Sequence, residues 1–168
     1  MTLTELVCIR PMQLEDLEAV LEIDRQSFSL PWPESAYRYE LLQNPASLCL
    51  VAETGVMQGH RQVVGMVVVW IIMDEAHIAT IAVHPSFRHS GIGSLLLWEA
   101  LNESAGRGAR RAMLEVRASN IIAQTMYEHF GFKVVFRRPR YYRDNSEDAL
   151  LMNLENLEEA LNKLRGDQ

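Results

Sequence analysis

The 168-residue chain predicts an α/β domain in which helices cover both faces of a mixed sheet. Three observations carry that expectation. Segments of helical and strand period follow in the order helix, helix, strands, helix, strand, helix, strands. Apolar residues make up 48 % of the chain, enough for a core and too many for a disordered polymer. The apolar run Val63–Met73 lacks the polar alternation of a sheet with one wet face. The length suits a single domain over 1–168, with a core over 8–154 and a polar C-terminal helix over 155–168.

The elements follow in order. Leu14, Leu17, Leu21 and Phe28 recur at helical spacing, with Asp16 and Glu18 near the positive end, so Leu14–Phe28 reads as a helix. Ser29-Leu-Pro-Trp-Pro33 interrupts it, because each proline fixes φ and lacks an N–H. Glu34–Gln43 is a second helix, closed by Asn44-Pro45. Ser47–Glu53 reads as a strand, and Thr54–Gln62, with two glycines, as a hairpin connection. Val63–Met73 is a long strand, too short for a membrane helix of about 20 residues. Ala76–Val83 is a further strand, residues 85–90 a loop and Gly91–Ala105 a Leu-rich helix. Arg110–Arg117 is a strand. Asn120–Phe130 is a helix with Asn120 as its N-cap and Gly131 just past its end. Phe132–Arg137 and Ala149–Leu154 complete the sheet around a polar, aromatic loop, and Glu155–Arg165 is expected to fray.

Several functions are disfavoured. Sixteen Lys and Arg against 22 Asp and Glu leave a net charge of −6, which argues against binding DNA or anionic membranes by bulk charge. The N-terminus lacks the basic start and apolar stretch of a signal peptide. Cys8 and Cys49 form neither a disulfide framework nor a ligand pair, so a reduced, cytoplasmic setting is expected. Among five histidines, only His77 and His84 share an expected strand, and their odd separation sends them to opposite faces. No metal is expected.

The most informative stretch runs from a strand through Arg88-His-Ser-Gly-Ile-Gly93 directly into a helix. Gly91 and Gly93 let backbone approach a ligand. The first N–H groups of a helix lack internal acceptors and, with the helix dipole, favour an anion. Arg88 adds a guanidinium suited to phosphate. Neither GxxxxGK[ST] nor GxGxxG is present.

Arg-x-x-Gly-x-Gly between an apolar strand and a Leu-rich helix resembles the acyl-CoA pyrophosphate loop of the GNAT N-acetyltransferases. Leu114-Glu-Val-Arg-Ala-Ser-Asn120, Met126-Tyr-Glu-His-Phe-Gly-Phe132, Tyr141-Tyr142 and Glu147-Asp-Ala149 resemble the RimI and archaeal-type N-terminal acetyltransferases. Ser27-Phe-Ser-Leu-Pro-Trp32 is similar to the bacterial RimI branch. The resemblance implies a GNAT-like, mostly antiparallel sheet and acetyl-CoA as co-substrate. It implies that the backbone of Ile81, Ala82 and Val83 pairs with pantetheine, which carries amides and can add to a strand edge. Arg88, His89, Ser90, Gly91, Ile92 and Gly93 would hold the pyrophosphate, and Asn120 would contact the CoA arm. Glu115 is implied as general base and Tyr127 as the acid that protonates the departing thiolate.

A base is needed because only an uncharged amine attacks a thioester. At pH 7 roughly one α-amine in seven is uncharged, against roughly one lysine in 2,500. Burial, or relay through a water, would help the carboxylate as a base. Tyr127 lies one step round from the stripe Ile122, Met126, Phe130, so its hydroxyl is expected at a cleft boundary. Tyr141 and Tyr142, near Glu147 and Asp148, are candidates to grip a peptide N-terminus, with Trp32 and Glu34 as the opposite wall. Arg137, Arg138, Arg140 and Arg143 form a basic cluster that either pairs with those acids or meets RNA or acidic residues. The expected reaction is acetyl transfer to a protein N-terminus, with the alanine of a small-subunit ribosomal protein as the family's usual acceptor. The alternatives are another acceptor amine or a non-catalytic acyl-CoA-binding module.

Overall fold

A computed structural model describes residues 6–57 and 60–166. Among the described residues the strands are β1 (Val7–Pro11), β2 (Ser47–Met57), β3 (His60–Ile72), β4 (Glu75–Val83), β5 (Arg111–Arg117), β6 (Lys133–Arg138) and β7 (Ala149–Leu154). The α-helices are α1 (Leu17–Ser27), α2 (Glu34–Leu42), α3 (Ile92–Gly106), α4 (Ile121–His129) and α5 (Leu157–Gly166). The hydrogen-bonded strand order is β1-β2-β3-β4-β5-β7-β6. β1–β2, β2–β3, β5–β7 and β6–β7 are antiparallel, and β4–β5 is parallel. The mixed, mostly antiparallel sheet expected from the sequence is present.

Contacts divide the chain into two units. One runs to Trp70 and resumes over Ala79–Ala100. Its core packs Leu17, Val20 and Ile23 of α1 and Tyr37 of α2 with Val51, Met66 and Val68 of the sheet. Each such side chain contributes about 1.5–3 kcal/mol by leaving water. The predicted stripe of the first helix is therefore displaced: Leu14 sits in a 3-10 turn and is 40 % exposed, and Phe28 is 37 % exposed. Gly65 interrupts the apolar run for a packing reason. A Cβ there would come within 2.8 Å of Leu96 Cδ1 and 3.2 Å of the Ala82 carbonyl oxygen.

The second unit comprises Ile71–Ile78 and the chain from Leu101. Glu75–Ile78 pair in parallel with Arg111–Leu114, and β5 continues along β7 to Arg117↔Ala149. α4 begins on Asn120, whose Oδ1 accepts the Ala123 N–H at 3.2 Å, and it is followed by Gly131 at φ 97°. Both were expected. α5 departs from the expected frayed helix. Leu157 and Leu161 are buried, and the Leu157 N–H donates to the Arg110 carbonyl at 2.9 Å. Its polar composition concealed a two-residue apolar anchor. β1 also escaped the sequence reading, because five residues are too few to show a period.

Candidate active site

The loop after β4 is built by local hydrogen bonds. His84 caps a 3-10 turn over Pro85–Phe87 and accepts the Ser86 N–H at Nδ1. The Ser90 hydroxyl donates to the Phe87 carbonyl. His89 and Gly91 both take left-handed backbone, at φ 60° and 85°, which turns the chain sharply into α3. Leu95 N–H bonds the Gly91 carbonyl at 3.0 Å, so the earlier N–H groups of Ile92, Gly93 and Ser94 lie in the unpaired first turn. The Ile92 side chain is buried in the core, so its share in any ligand contact is its N–H. Arg88 braces the loop: Nε donates to the Val83 carbonyl at 3.0 Å and a terminal nitrogen to Ser27 Oγ at 3.1 Å. Two of its five N–H donors are thereby used, leaving the others for an anion. Ile81 and Val83 are half-buried and Ala82 is buried at the end of β4.

In the second unit, Glu115 stands on the half-buried face of β5 with Met113 and Arg117. His77 on β4 places Nε2 2.7 Å from Glu115 Oε2. The sequence reading expected burial to strengthen this carboxylate as a base. The hydrogen bond from His77 outweighs desolvation and holds its pKa below the ordinary carboxylate range. Tyr127 is only 5 % exposed, packed edge-on to Phe132 at 5.8 Å between ring centres. Burial pushes its phenol well above the ordinary value, and the Tyr142 phenol adds to that. The helix face differs from the expected stripe: Ile122 is 70 % exposed, while Tyr127 and Phe130 form the inner face.

Arg117 organises the loop between β6 and β7. It pairs with Asp144 at 2.9 Å, donates to Asn145 at 3.2 Å and lies 3.9 Å over the Tyr142 ring. Burial raises the Tyr142 phenol to about 12. Tyr141 stands at right angles to Tyr142 and is 44 % exposed. Glu147 accepts the Ser119 hydroxyl at 2.6 Å, and Asp148 binds Arg137 at 2.6 Å and the Arg140 N–H at 3.0 Å. Glu147 thus ties this loop to the start of α4, and Asp148 ties it to the end of β6. Arg137 is likewise paired, which is the first of the two alternatives the sequence left open for the basic cluster.

In the first unit, Trp32 packs against Tyr37 and Trp70, with ring centres 5.3 and 6.2 Å away. The Trp32 main-chain N–H donates at 2.7 Å to Asp24, whose carboxyl is raised by burial. Glu34 pairs with Arg38 at 2.7 Å in the first turn of α2.

The model of the acetyltransferase (GNAT) family matches residues 17–132. The chain belongs to the acetyltransferase (GNAT) family. It is 42 % identical over 144 residues to a putative [ribosomal protein bS18]-alanine N-acetyltransferase of Bacillus subtilis, covering 86 % of this chain and 92 % of that protein. The crystal structure of the ribosomal-protein-S18-alanine N-acetyltransferase of Escherichia coli superposes with a TM-score of 0.77 at 31 % identity, covering 88 % of this chain and 92 % of that one. Ard1 from Thermoplasma volcanium is similar too, with a TM-score of 0.77 at 28 % identity, over 91 % of this chain and 99 % of its own.

Within this acetyltransferase, the sequence reading missed His77, which it weighed only as a metal ligand. Burial alternates along β4, and His77 falls on the half-buried face. Among the described residues no cluster of His, Cys, Asp and Glu could hold a metal ion. No described helix is long and apolar enough to cross a membrane.

Proposed function

We propose that this acetyltransferase moves the acetyl group of acetyl-CoA to the N-terminal α-amine of a protein, with the N-terminal alanine of a small-subunit ribosomal protein as acceptor and the cytoplasm as its setting. The observation that carries the acceptor is the 42 % identity to a relative named for bS18-alanine acetylation.

The chain's own residues supply the chemistry. Main-chain N–H groups of the first turn of α3, with Arg88 and the His89–Gly91 turn, suit the pyrophosphate. The backbone of Ile81, Ala82 and Val83 pairs with pantetheine, and Asn120 serves the CoA arm beside its capping role. The amine nitrogen attacks the thioester carbonyl, Glu115 takes a proton from the nitrogen, and the carbon–sulfur bond breaks. Tyr127 gives its proton to the CoA thiolate. A phenol raised by burial is a weaker donor, but the same dry surroundings penalise the thiolate and raise the thiol's pKa in step. Tyr141 and Tyr142 in the second unit, and Trp32 and Glu34 in the first, are the residues assigned to the acceptor.

The test is thiol release from acetyl-CoA with short peptides bearing free or blocked N-termini. Turnover confined to free N-termini is expected, highest with alanine first. Equal turnover on blocked, lysine-containing peptides would overturn the α-amine assignment. Tight acetyl-CoA binding without thiol release from any peptide would overturn catalysis itself.

A further inference from the structure

We propose that Asp24 is a positioning residue for the acceptor: its Oδ2 fixes the main chain at Trp32 and so sets where the indole stands. This rests on the reading of Trp32 as part of the surface that receives the acceptor.

The placement begins at the end of α1, where the Phe28 N–H donates to the Asp24 carbonyl at 2.9 Å and the chain turns extended. Pro31 and Pro33 have no N–H, so Trp32 carries the only main-chain donor of that three-residue stretch. That donor goes to Asp24 Oδ2 at 2.7 Å. Asp24 therefore closes the helix with its main chain and holds the following loop with its side chain. The indole is placed separately. Trp70 stacks on it at 6.2 Å with the planes 15° apart, and Tyr37 tilts against it at 5.3 Å. Trp70 is itself fixed through Nε1, which donates to Glu40 Oε2 at 3.0 Å. Ring pairs are favourable over a range of offsets, whereas a hydrogen bond demands one distance and angle. The bond to Asp24 thus supplies the restraint that stacking lacks.

Packing alone does not account for an aspartate here. Asp24 is 1 % exposed, and its Oδ1 has no hydrogen-bond partner among the described residues. The Tyr37 phenol faces the carboxyl but turns its hydroxyl to Met66 Sδ at 3.9 Å. An unpaired buried oxygen destabilises a fold, and an apolar side chain of the same shape avoids that penalty. Burial, the largest influence on this carboxyl, also opposes its charge. What the position uses is the lone pair on Oδ2, which a neutral amide oxygen supplies equally.

The experiment compares Asp24→Leu, which keeps the branched shape without an acceptor oxygen, Asp24→Asn, which keeps the oxygen, and Trp32→Ala. Thiol release gives KM for acetyl-CoA and for a short alanine-first peptide, and NMR follows hydrogen exchange of the Trp32 amide. Asp24→Leu is expected to melt cooperatively and to raise the peptide KM about three- to tenfold. KM for acetyl-CoA stays put, and the Trp32 amide exchanges faster. Asp24→Asn restores the peptide KM and the slow exchange, and Trp32→Ala raises the peptide KM. A wild-type peptide KM in Asp24→Leu overturns the proposal, as does an equal rise in both KM values. Loss of cooperative melting in Asp24→Leu overturns it too, since the carboxyl would then serve the fold rather than the loop. So does an Asp24→Asn enzyme no better than Asp24→Leu. A wild-type peptide KM in Trp32→Ala instead overturns the reading of Trp32 as acceptor surface, whatever the Asp24 variants do.

Discussion

Glu115 is held charged by its partner, and under the proposed mechanism that decides which ionisation governs the reaction. Its pKa lies below the ordinary 4.5, so it is anionic throughout the neutral range and loses that form only as pH falls through the lowered value. The acid limb of kcat/KM is therefore expected to report the acceptor's α-amine, near 7.8, and to move with peptides whose amines differ in pKa. A limb that ignores the peptide would contradict this. Glu115→Gln should lower kcat by about 10²–10⁴ with KM for acetyl-CoA unchanged, measured by thiol release. The Glu115 carboxylate and the Tyr127 phenol were recognised by their motifs. Their environments were not, because a hydrogen bond from a residue 38 positions away and the burial of Tyr127 are not local properties.

At the scale of elements, α3 and α5 show opposite degrees of legibility. The start of α3 was plain, since glycines between a strand and a Leu-rich helix have a local conformational meaning. Gly91 at φ 85° is costly for any residue with a Cβ, about 1–2 kcal/mol. Gly91→Val is expected to raise KM for acetyl-CoA several-fold while the peptide KM changes little, which initial-rate kinetics would show. α5 was misjudged as frayed because its polar residues outnumber its anchors. Leu161 is 2 % exposed, and Leu161→Ala should cost about 2–5 kcal/mol in chemical denaturation. A loss below 0.5 kcal/mol, the range of ordinary surface substitutions, would show the helix to be expendable.

Across the molecule, long-range ion pairs tie segments that composition alone could not relate. Arg10 of β1 bonds Asp16 at 2.8 Å and Glu53 of β2 at 2.6 Å. Burial opposes the charge on Asp16, but its bonds to Arg10 and the Gln13 N–H prevail and lower its pKa. A carboxyl lowered on folding contributes stability that is present above its unfolded value, 3.8, and lost as pH falls through the folded one. Asp16→Asn is expected to cost about 1–3 kcal/mol at neutral pH and to flatten the acid side of the stability curve in denaturant titrations across pH.

The sequence by itself determined the order of helices and strands, the anion-ready turn into α3 and the family that carries them. These depend on period, on glycine's missing Cβ and on contiguous motifs, all readable within a few residues. Tertiary structure alone decided that His77 meets Glu115, that Asp148 serves Arg137, and that Tyr127 rather than Ile122 turns inward. Those outcomes follow from strand register and from which helix face finds apolar neighbours, quantities that exist only once distant segments pair.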